Sequence, residues 1–274
     1  MIVHLVDGTY ELFRHFYGLR RFNKGVDAPY GAVVGVLNTM LEMIEGGATH
    51  VGIATDHVIE SFRNAMWPDY KTGEGIDPAL WAQFQPLEDA LVAMGVFTWP
   101  MVELEADDAI AAAAALADAD ARVEKVCVWT PDKDLAQCVR GDRVVQVDRK
   151  SKVIRNAAGV REKFGVDPEH IPDYLALTGD AADGYPGIPG IGAKTAARLI
   201  NRYGPIESFP PETLGDQIER ALLFKQLATL RSDAPVLRDV DDLEWKGPTE
   251  RFAEFVARFE NKRLGERAAG AMPG

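Results

Sequence analysis

Residues 2–7 read IVHLVD, a short run of β-branched and other apolar side chains that ends on an aspartate. Similar runs follow at HVGIATD (50–56), VFTWP (96–100), KVCVWTPD (125–132) and RVVQVD (143–148). The stretches between them carry helical patterns, most clearly Tyr30 to Ile44, Pro78 to Met94 and the alanine-rich run after Asp107. Strands that alternate with helices are typical of a doubly wound, mainly parallel sheet, so we predict an α/β fold.

The strand signal fades near residue 165. From Pro168 onward helical patterns dominate, joined by Gly/Pro turns. We therefore predict an α/β domain over residues 1–165, a smaller helical domain over 166–262 and a flexible tail over 263–274.

Length and composition limit the class of protein. The 274 residues are 47% hydrophobic, enough for one large domain or two modest ones, and the net charge of −12 argues against a general nucleic-acid coat protein. No apolar run is long enough to span a membrane, and the first residues carry no basic region of a signal peptide. Neither Cys127 nor Cys138 has the spacing of a disulfide framework or a zinc site. We expect a cytoplasmic monomer with no membrane or protein partner.

Acidic side chains follow the ends of the first four predicted strands. They are Asp7, Asp56, Glu105, Asp107, Asp108, Asp132 and Asp134. The carboxyl ends of parallel strands meet at one edge of a sheet, where ligand sites form. Any single acid here is ordinarily a helix cap or a solvated loop residue. Clustered carboxylates, however, repel one another unless a cation neutralises them, and Mg²⁺ or Mn²⁺ prefers such oxygen ligands. We predict a divalent-metal site at this edge.

A glycine-rich segment, GYPGIPGIGAKTAARLINRYG (184–204), follows in the helical part. Its glycines permit a tight turn, and the helix after them offers free N–H groups and basic side chains to a phosphate. Either the segment is a plain helical turn with a solvated face, or it is a helix–hairpin–helix that binds duplex DNA without reading its sequence. For the second case the binding residues are Gly187, Gly190, Ile191, Gly192, Lys194, Thr195 and Arg198. Just upstream, Asp180 and Asp183 are three residues apart and share one face.

Two other phosphate motifs fit less well. LVDGT is similar to the loop of haloacid-dehalogenase-type phosphatases, but Leu5 stands where that loop needs a second aspartate. GIPGIGAKT (187–195) is similar to a P-loop, but Ala193 separates Gly192 from Lys194 and no strand precedes the segment.

Five ordered motifs resemble the bacterial and phage 5′–3′ exonuclease/flap endonuclease family, which includes the N-terminal nuclease domain of bacterial DNA polymerase I. They are LVDGTYELFR, SFRNAMWPDYK, LEADD, TPDKD and GDAADGYPGIPGIGAKTA. The similarity runs from Ile2 to about Trp245 without a polymerase domain, so we expect a stand-alone member. It implies a PIN-like α/β nuclease domain and a helical domain that carries a helix-three-turn-helix.

The resemblance also implies two groups of metal ligands that hold two Mg²⁺ or Mn²⁺ ions. The first group is Asp7, Asp56, Glu105, Asp107 and Asp108, and the second is Asp132, Asp134, Asp180 and Asp183. It further implies a K⁺ ion bound by backbone carbonyls of the hairpin.

Three basic residues match family positions near the active site: Arg14, Arg63 and Lys71. Each alone is equally well interpreted as a surface or ion-paired side chain, although Lys71 suits a point charge on the scissile phosphate. The family's arch, which guides a 5′ single strand, is expected at about residues 71–90. Here that region has Glu74 where the family usually has arginine. Trp81 either stacks on bases or packs in the core.

We interpret the chain as a metal-dependent 5′–3′ exonuclease/flap endonuclease of replication or repair, which hydrolyses DNA with 5′ ends or 5′ flaps next to duplex by a two-metal mechanism. Two alternatives stay open. The acidic arch favours a structure-specific DNA-binding protein with weak or no catalysis. The PIN-like core is also compatible with a ribonuclease, although a DNA-binding hairpin opposes this.

Overall fold

The computed structural model describes residues 1–22 and 29–272. Within them, one sheet has the strands β1 (Ile2–Asp7), β2 (His50–Asp56), β3 (Phe97–Met101), β4 (Lys125–Trp129), β5 (Val144–Asp148) and β6 (Val153–Arg155). The strand order is β3-β2-β1-β4-β5-β6, and every neighbouring pair is parallel except β5 and β6. The predicted mainly parallel α/β sheet is confirmed, and only the short antiparallel β6 was not predicted.

The helices lie on both faces of this sheet and in a second unit. They are α1 (Gly8–Phe22), α2 (Gly31–Glu45), α3 (Arg63–Met66), α4 (Pro78–Trp81), α5 (Phe84–Ala93), α6 (Ala106–Ala119), α7 (Ala157–Phe164), α8 (Ile171–Thr178), α9 (Ala193–Tyr203), α10 (Pro211–Leu214), α11 (Ile218–Ala228), α12 (Phe252–Arg258) and α13 (Lys262–Gly270). Short 3₁₀ helices lie at Asp134–Cys138, Pro168–His170, Ile206–Ser208, Gly215–Gln217 and Val240–Leu243. None of the helices in the described residues is long and apolar enough to cross a membrane.

Two apolar layers cover the sheet and a third core fills the helical unit. On one face α1, α2 and α5 contribute the packing residues, and on the other the alanines of α6 lie directly against β1 and β4. Small side chains let α6 approach the sheet closely, which fixes its N-terminus beside the strand ends. In the helical unit α8, α9 and α11 pack around Phe224 and Ile200.

The predicted helix from Pro78 to Met94 is two helices. Pro86 has no N–H to donate to the carbonyl of Ala82, so one continuous helix would lose a hydrogen bond there. Instead, the Oε1 of Gln83 accepts from the N–H groups of Ala32 and Val33 at 3.0 and 3.3 Å and satisfies the start of α2.

The second half of the predicted arch is part of the core. Leu80, Phe84 and Leu87 are buried against the α2 layer. Glu88, which lies within the predicted arch, is also buried and accepts a hydrogen bond from the hydroxyl of Thr55 at 2.8 Å. An exposed connection remains only before α4, so the prediction of an arch over 71–90 is wrong for its second half.

The chain returns to the α/β domain after α11. The N–H of Trp245 donates to the carbonyl of Thr49 at 2.8 Å, and α12 and α13 pack against α5 and α2. We predicted a flexible tail from residue 263, but Leu264 and Ala268 of α13 are buried in the first core. That prediction is wrong over α13, because the two side chains are four residues apart and form one apolar face. Residues 273–274 lie outside the described chain.

Candidate active site

The strand ends and the start of α6 bring the first acidic group together. Asp7 ends β1, and its carboxylate accepts from the N–H of Tyr10 at 2.8 Å and from the Thr130 hydroxyl at 3.0 Å. Asp56 ends β2 and accepts from the N–H of Ala106, at the start of α6, at 2.8 Å. These bonds hold each carboxylate in one orientation at the same edge of the sheet.

Burial and mutual repulsion act on this group. Burial first, and then the charges of Asp56 and Asp132, raise the pKa of Asp7 to about 7. Burial and the charges of Asp132 and Asp7 raise the pKa of Asp107 well above its usual range. Burial also raises the pKa of Asp56. Carboxylates in this condition favour a bound cation, which removes the cost of ionising them together.

The second group forms where the two units meet, because Asp134 follows β4 whereas Asp180 and Asp183 belong to the helical unit. Carboxylate oxygens of Asp134, Asp180 and Asp183 lie within 4.8 Å of one another. Burial first, and then the charge of Asp132, raises the pKa of Asp134 well above its usual range. One oxygen of Asp134 is buried without a hydrogen-bond partner. A hard divalent cation matches this donor set, because it accepts several carboxylate oxygens at once. Asp132 is exposed, and its charge raises the pKa of an acid in each group, Asp107 and Asp134.

Lys71 lies between the two groups. Its ammonium is 2.6 Å from a carboxylate oxygen of Glu105 and 3.3 Å from one of Asp183. Its backbone N–H donates to the carbonyl of Asp183 at 3.1 Å, which anchors the residue to the helical unit. Burial opposes the charged form, but the negative charges of Glu105 and Asp183 raise the pKa of Lys71 well above its ordinary value. The ammonium therefore stays protonated.

Arg63 and Asp108 form a buried pair behind the site. Two nitrogens of the guanidinium each donate to an Asp108 oxygen at 2.8 Å, and one also reaches Glu105 at 2.9 Å. The two Asp108 oxygens accept further from the N–H groups of Glu105 and Arg231 at 3.0 and 2.9 Å. Arg63 is 1% exposed and Asp108 0%. The geometry opposes both predictions, because Arg63 faces no solvent and Asp108 has no oxygen left for a cation.

Arg14 is also directed elsewhere. Its guanidinium donates to the buried Glu11 and, at 2.9 Å, to the ring of His15 on α1. Glu11 is not among the predicted ligands, so the structure does not bring Arg14 to the acidic groups.

The glycine segment forms an exposed turn before α9. Gly187 has φ +73°, and a Cβ there would lie 2.4 Å from the backbone nitrogen of Gly179, so only glycine fits. Gly190, Gly192, Lys194 and Arg198 are exposed, whereas Ile191 and Thr195 are half-buried. The N-terminus of α9 and the charged side chains of Lys194 and Arg198 are therefore exposed to solvent.

Sequence reasoning missed Lys133. Its ammonium lies 2.7 Å from a carboxylate oxygen of Asp180 and so partly neutralises the second group. Its place between Asp132 and Asp134 in TPDKD was a signal, since a lysine flanked by two site acids cannot lie far from the site.

Comparison with known proteins identifies the family of this chain. A family model described as 5′-3′ exonuclease, N-terminal resolvase-like domain, matches residues 2–165, and one described as 5′-3′ exonuclease, C-terminal SAM fold, matches residues 166–251. The chain belongs to the 5′-3′ exonuclease family. A 5′-3′ exonuclease of Buchnera aphidicola subsp. Schizaphis graminum is 30% identical over 85% of this chain and 87% of its own length.

DNA polymerase I of Bacillus caldotenax is 35% identical over 95% of this chain, which spans only 31% of that protein. Among solved structures, T5 5′-exonuclease with bound zinc has a TM-score of 0.70 at 18% identity and covers 98% of this chain and 100% of its own. The Rad2 catalytic core in complex with DNA substrate has a TM-score of 0.60 at 15% identity, over 98% of this chain and 92% of its own. At these identities the structural likeness supports the fold.

Proposed function

We propose that this member of the 5′-3′ exonuclease family is a metal-dependent nuclease that hydrolyses phosphodiester bonds of DNA with 5′ ends or 5′ flaps. The observation that carries the proposal is the convergence of Asp134, Asp180 and Asp183 within 4.8 Å. They lie beside the strand-end acids, with a protonated lysine between the groups. Two carboxylate groups that can each hold a divalent cation, with a lysine ammonium between them, suit metal-dependent hydrolysis of a phosphodiester.

The proposed ligands fall into two sets. Asp7, Asp56, Asp107 and Asp132, whose charges act on one another, would hold the first cation. Asp134, Asp180 and Asp183 would hold the second. Glu105 would be available to the first cation once Lys71 pairs with a substrate phosphate instead. When bound, Mg²⁺ or Mn²⁺ would supply Lewis-acid activation of a water and charge stabilisation at the leaving oxygen. Asp108 and Arg63 hold Glu105 and the start of α6 in place and touch neither cation nor substrate.

Lys71 is the proposed cationic residue of the reaction. Its charged ammonium binds a non-bridging oxygen of the scissile phosphate and stabilises the negative charge that develops there. Anchoring of its backbone to Asp183 keeps this charge next to both acidic groups. Restricting the ammonium in this way adds to catalysis by pre-organisation.

The glycine turn and α9 are the proposed duplex-binding surface. The free N–H groups at the start of α9, with Lys194 and Arg198, bind backbone phosphates and carry no sequence information. We also propose that backbone carbonyls of the glycine turn would hold a K⁺ ion. T5 5′-exonuclease has been solved with DNA and metal ions, and the Rad2 core with DNA substrate, which supports DNA as the partner here.

The test is cleavage of a duplex with a 5′ flap labelled at its 5′ end, incubated with Mg²⁺, Mn²⁺ or EDTA. We expect a short labelled product in either metal and none in EDTA. Asp132→Asn removes a carboxylate that is exposed and not needed for the core, and it should slow cleavage about a thousandfold or more. Asp233→Asn, an exposed aspartate paired with Arg231, is the matched control and should cleave at the wild-type rate.

One observation favours the alternative of binding without catalysis. Glu74 is exposed in the connection after Lys71, where a negative charge repels the strand that must reach the site. Flap binding without cleavage in either metal would support that alternative and contradict the nuclease. Cleavage of a matched RNA flap in preference to DNA would favour the ribonuclease.

A further inference from the structure

Tyr185 is a buried residue next to the second acidic group, and its hydroxyl has no hydrogen-bond partner among the described residues. The residue is 1% exposed, and within the described chain its hydroxyl oxygen has no hydrogen-bond partner. An oxygen of Asp134 is in the same condition. Buried polar atoms are rarely left without partners, because each loses its bonds to water on folding. Two such atoms beside one carboxylate group indicate a function that the rest of the fold does not explain.

The backbone and ring of Tyr185 are fixed from two sides. Its N–H and carbonyl exchange hydrogen bonds with those of Asp180 at 3.1 and 2.8 Å. The ring packs on Phe224 in the helical core, with the two ring centroids 5.4 Å apart. Tyr185 is therefore attached directly to one of the three acids and has little freedom to turn its hydroxyl elsewhere.

The backbone pairing brings Tyr185 to the second group, because a carboxylate oxygen of Asp180 lies within 4.8 Å of those of Asp134 and Asp183. A tyrosine hydroxyl can donate a hydrogen bond, whereas an ionised carboxylate only accepts one. The unpartnered hydroxyl and the unpartnered Asp134 oxygen are therefore complementary.

We propose that the Tyr185 hydroxyl is a positioning group of the second cation site and donates a hydrogen bond to the carboxylate of Asp134 when a divalent cation is bound. The proposal rests on the proposed function, since it requires a cation in this group. Ligand carboxylates are commonly oriented by a donor outside the metal's own coordination sphere. Here the donor and the free carboxylate oxygen are both present and both unpaired.

The test is Tyr185→Phe, which removes the hydroxyl and keeps the ring against Phe224. Mn²⁺ binding is measured by calorimetry, and thermal unfolding is followed in EDTA and in Mg²⁺. We expect Mn²⁺ affinity at one site to fall at least about tenfold. The unfolding midpoint in EDTA should not fall, because the lost hydroxyl was unpaired, but the increase in the midpoint on adding Mg²⁺ should be smaller.

Tyr203→Phe is the matched control. It is the same substitution in the same helical unit, at a ring that packs on Phe209 with a centroid distance of 5.8 Å. It should leave Mn²⁺ affinity unchanged. Wild-type Mn²⁺ affinity in Tyr185→Phe, or a lowered midpoint in EDTA with unchanged affinity, would overturn the proposal and leave the nuclease intact. Failure of the wild-type protein to bind Mn²⁺ would instead contradict the proposed function itself.

Discussion

Arg63 and Lys71 belong to one sequence motif, SFRNAMWPDYK, yet the fold uses them differently. The Lys71 side chain is 26% exposed and faces both acidic groups, whereas Arg63 is 1% exposed and pairs with Asp108. The sequence predicts that both lie near the site, and in the structure both contact Glu105. It could not tell which one reaches a substrate, because that depends on which strand end and which helix close over each side chain.

Replacing Arg63 should cost stability rather than only activity. Arg63→Ala leaves Asp108 and Glu105 buried without their cation, so we expect the free energy of unfolding to fall by about 3–5 kcal/mol. Urea unfolding measures this. Arg122→Ala is the control, since its side chain is 48% exposed and bonds three carboxylates at the surface, and it should cost much less stability than Arg63→Ala. Equal losses in the two variants would contradict a structural role for Arg63.

His15 should make the fold sensitive to mild acid. Burial, and then the charges of Arg14 and Arg149, lower the pKa of His15 to about 4, and its ring accepts a hydrogen bond from Arg14. The unfolded chain binds this proton near pH 6.5 and the folded chain does not, so stability is complete above pH 6.5 and is lost as pH falls toward 4. We expect a loss of up to about 3 kcal/mol.

Urea unfolding at pH 7.5, 6, 5 and 4 measures this loss. His15→Gln removes the titrating group and should be less stable at pH 7.5 but decline less over the same range. A decline as steep as that of the wild-type protein would show that His15 is not responsible.

At the scale of elements, the strands were predictable and several helices were not. Short β-branched runs predict strands, and all five predicted runs lie in the sheet. Pro86 gave a local reason for the break between α4 and α5, but the hydrogen bond that Gln83 accepts from the N–H of Ala32 in α2 is a tertiary contact that no local pattern contains. The sequence did not reveal α1, whose first turn is stabilised by the carboxylate of Asp7, a residue we had assigned to metal binding alone.

The exposed cations of α9 should govern DNA affinity without affecting the chemistry. We expect Lys194→Ala/Arg198→Ala to weaken duplex binding uniformly across sequences. The slope of log binding constant against log salt concentration should fall by the equivalent of about two phosphate contacts. Fluorescence anisotropy over a range of KCl concentrations measures both. Lys262→Ala/Arg263→Ala on α13 removes the same charge elsewhere on the surface and should change neither. An unaltered salt slope in the α9 variant would rule out this surface.

An aromatic row beside the start of the predicted arch should contact the unpaired strand. The rings of Tyr17, Phe13, Phe84 and Trp81 follow one another with centroid distances of 6.2, 6.1 and 5.1 Å. Both ends of the row are exposed, and Trp81 lies close to Gly73, two residues after Lys71. Exposed rings stack on bases whatever the sequence.

We expect Trp81→Ala to weaken binding of a duplex with a 5′ single-stranded overhang by about 1–3 kcal/mol and to leave blunt-duplex binding unchanged. Titrations of both DNAs, with calcium present to prevent cleavage, measure the difference. An equal change for the two substrates would place Trp81 in the fold rather than in strand binding.

At the scale of the whole molecule, the candidate site depends on how the two units join. Arg63 donates to the carbonyls of Leu227 and Thr229 in the helical unit at 2.8 and 3.2 Å. Across the same junction the indole of Trp67 donates to the carbonyl of Gly184 at 3.0 Å. A Cβ at Gly184 would lie 1.9 Å from the carbonyl oxygen of Asp69, so the close approach requires glycine.

The junction between the two units also explains why the sequence could not predict the second acidic group in full. Spacing along the chain indicated that Asp180 and Asp183 share a face, but only the docking of the helical unit brings them next to Asp134 and Lys71. Position along the strands was sufficient for Asp7 and Asp56. It could not show that Asp108, which the same LEADD motif places among the predicted ligands, is the buried partner of Arg63.

The central claim is that two acidic groups, one at the strand ends and one at the junction of the two units, bind a pair of divalent cations. Anomalous diffraction at the manganese edge from crystals soaked in Mn²⁺ tests it most directly. We predict one peak among Asp7, Asp56, Asp107 and Asp132, a second among Asp134, Asp180 and Asp183, and none at Asp108. Absence of peaks at millimolar Mn²⁺, or a cation coordinated by Asp108 with Arg63 displaced, would contradict the account.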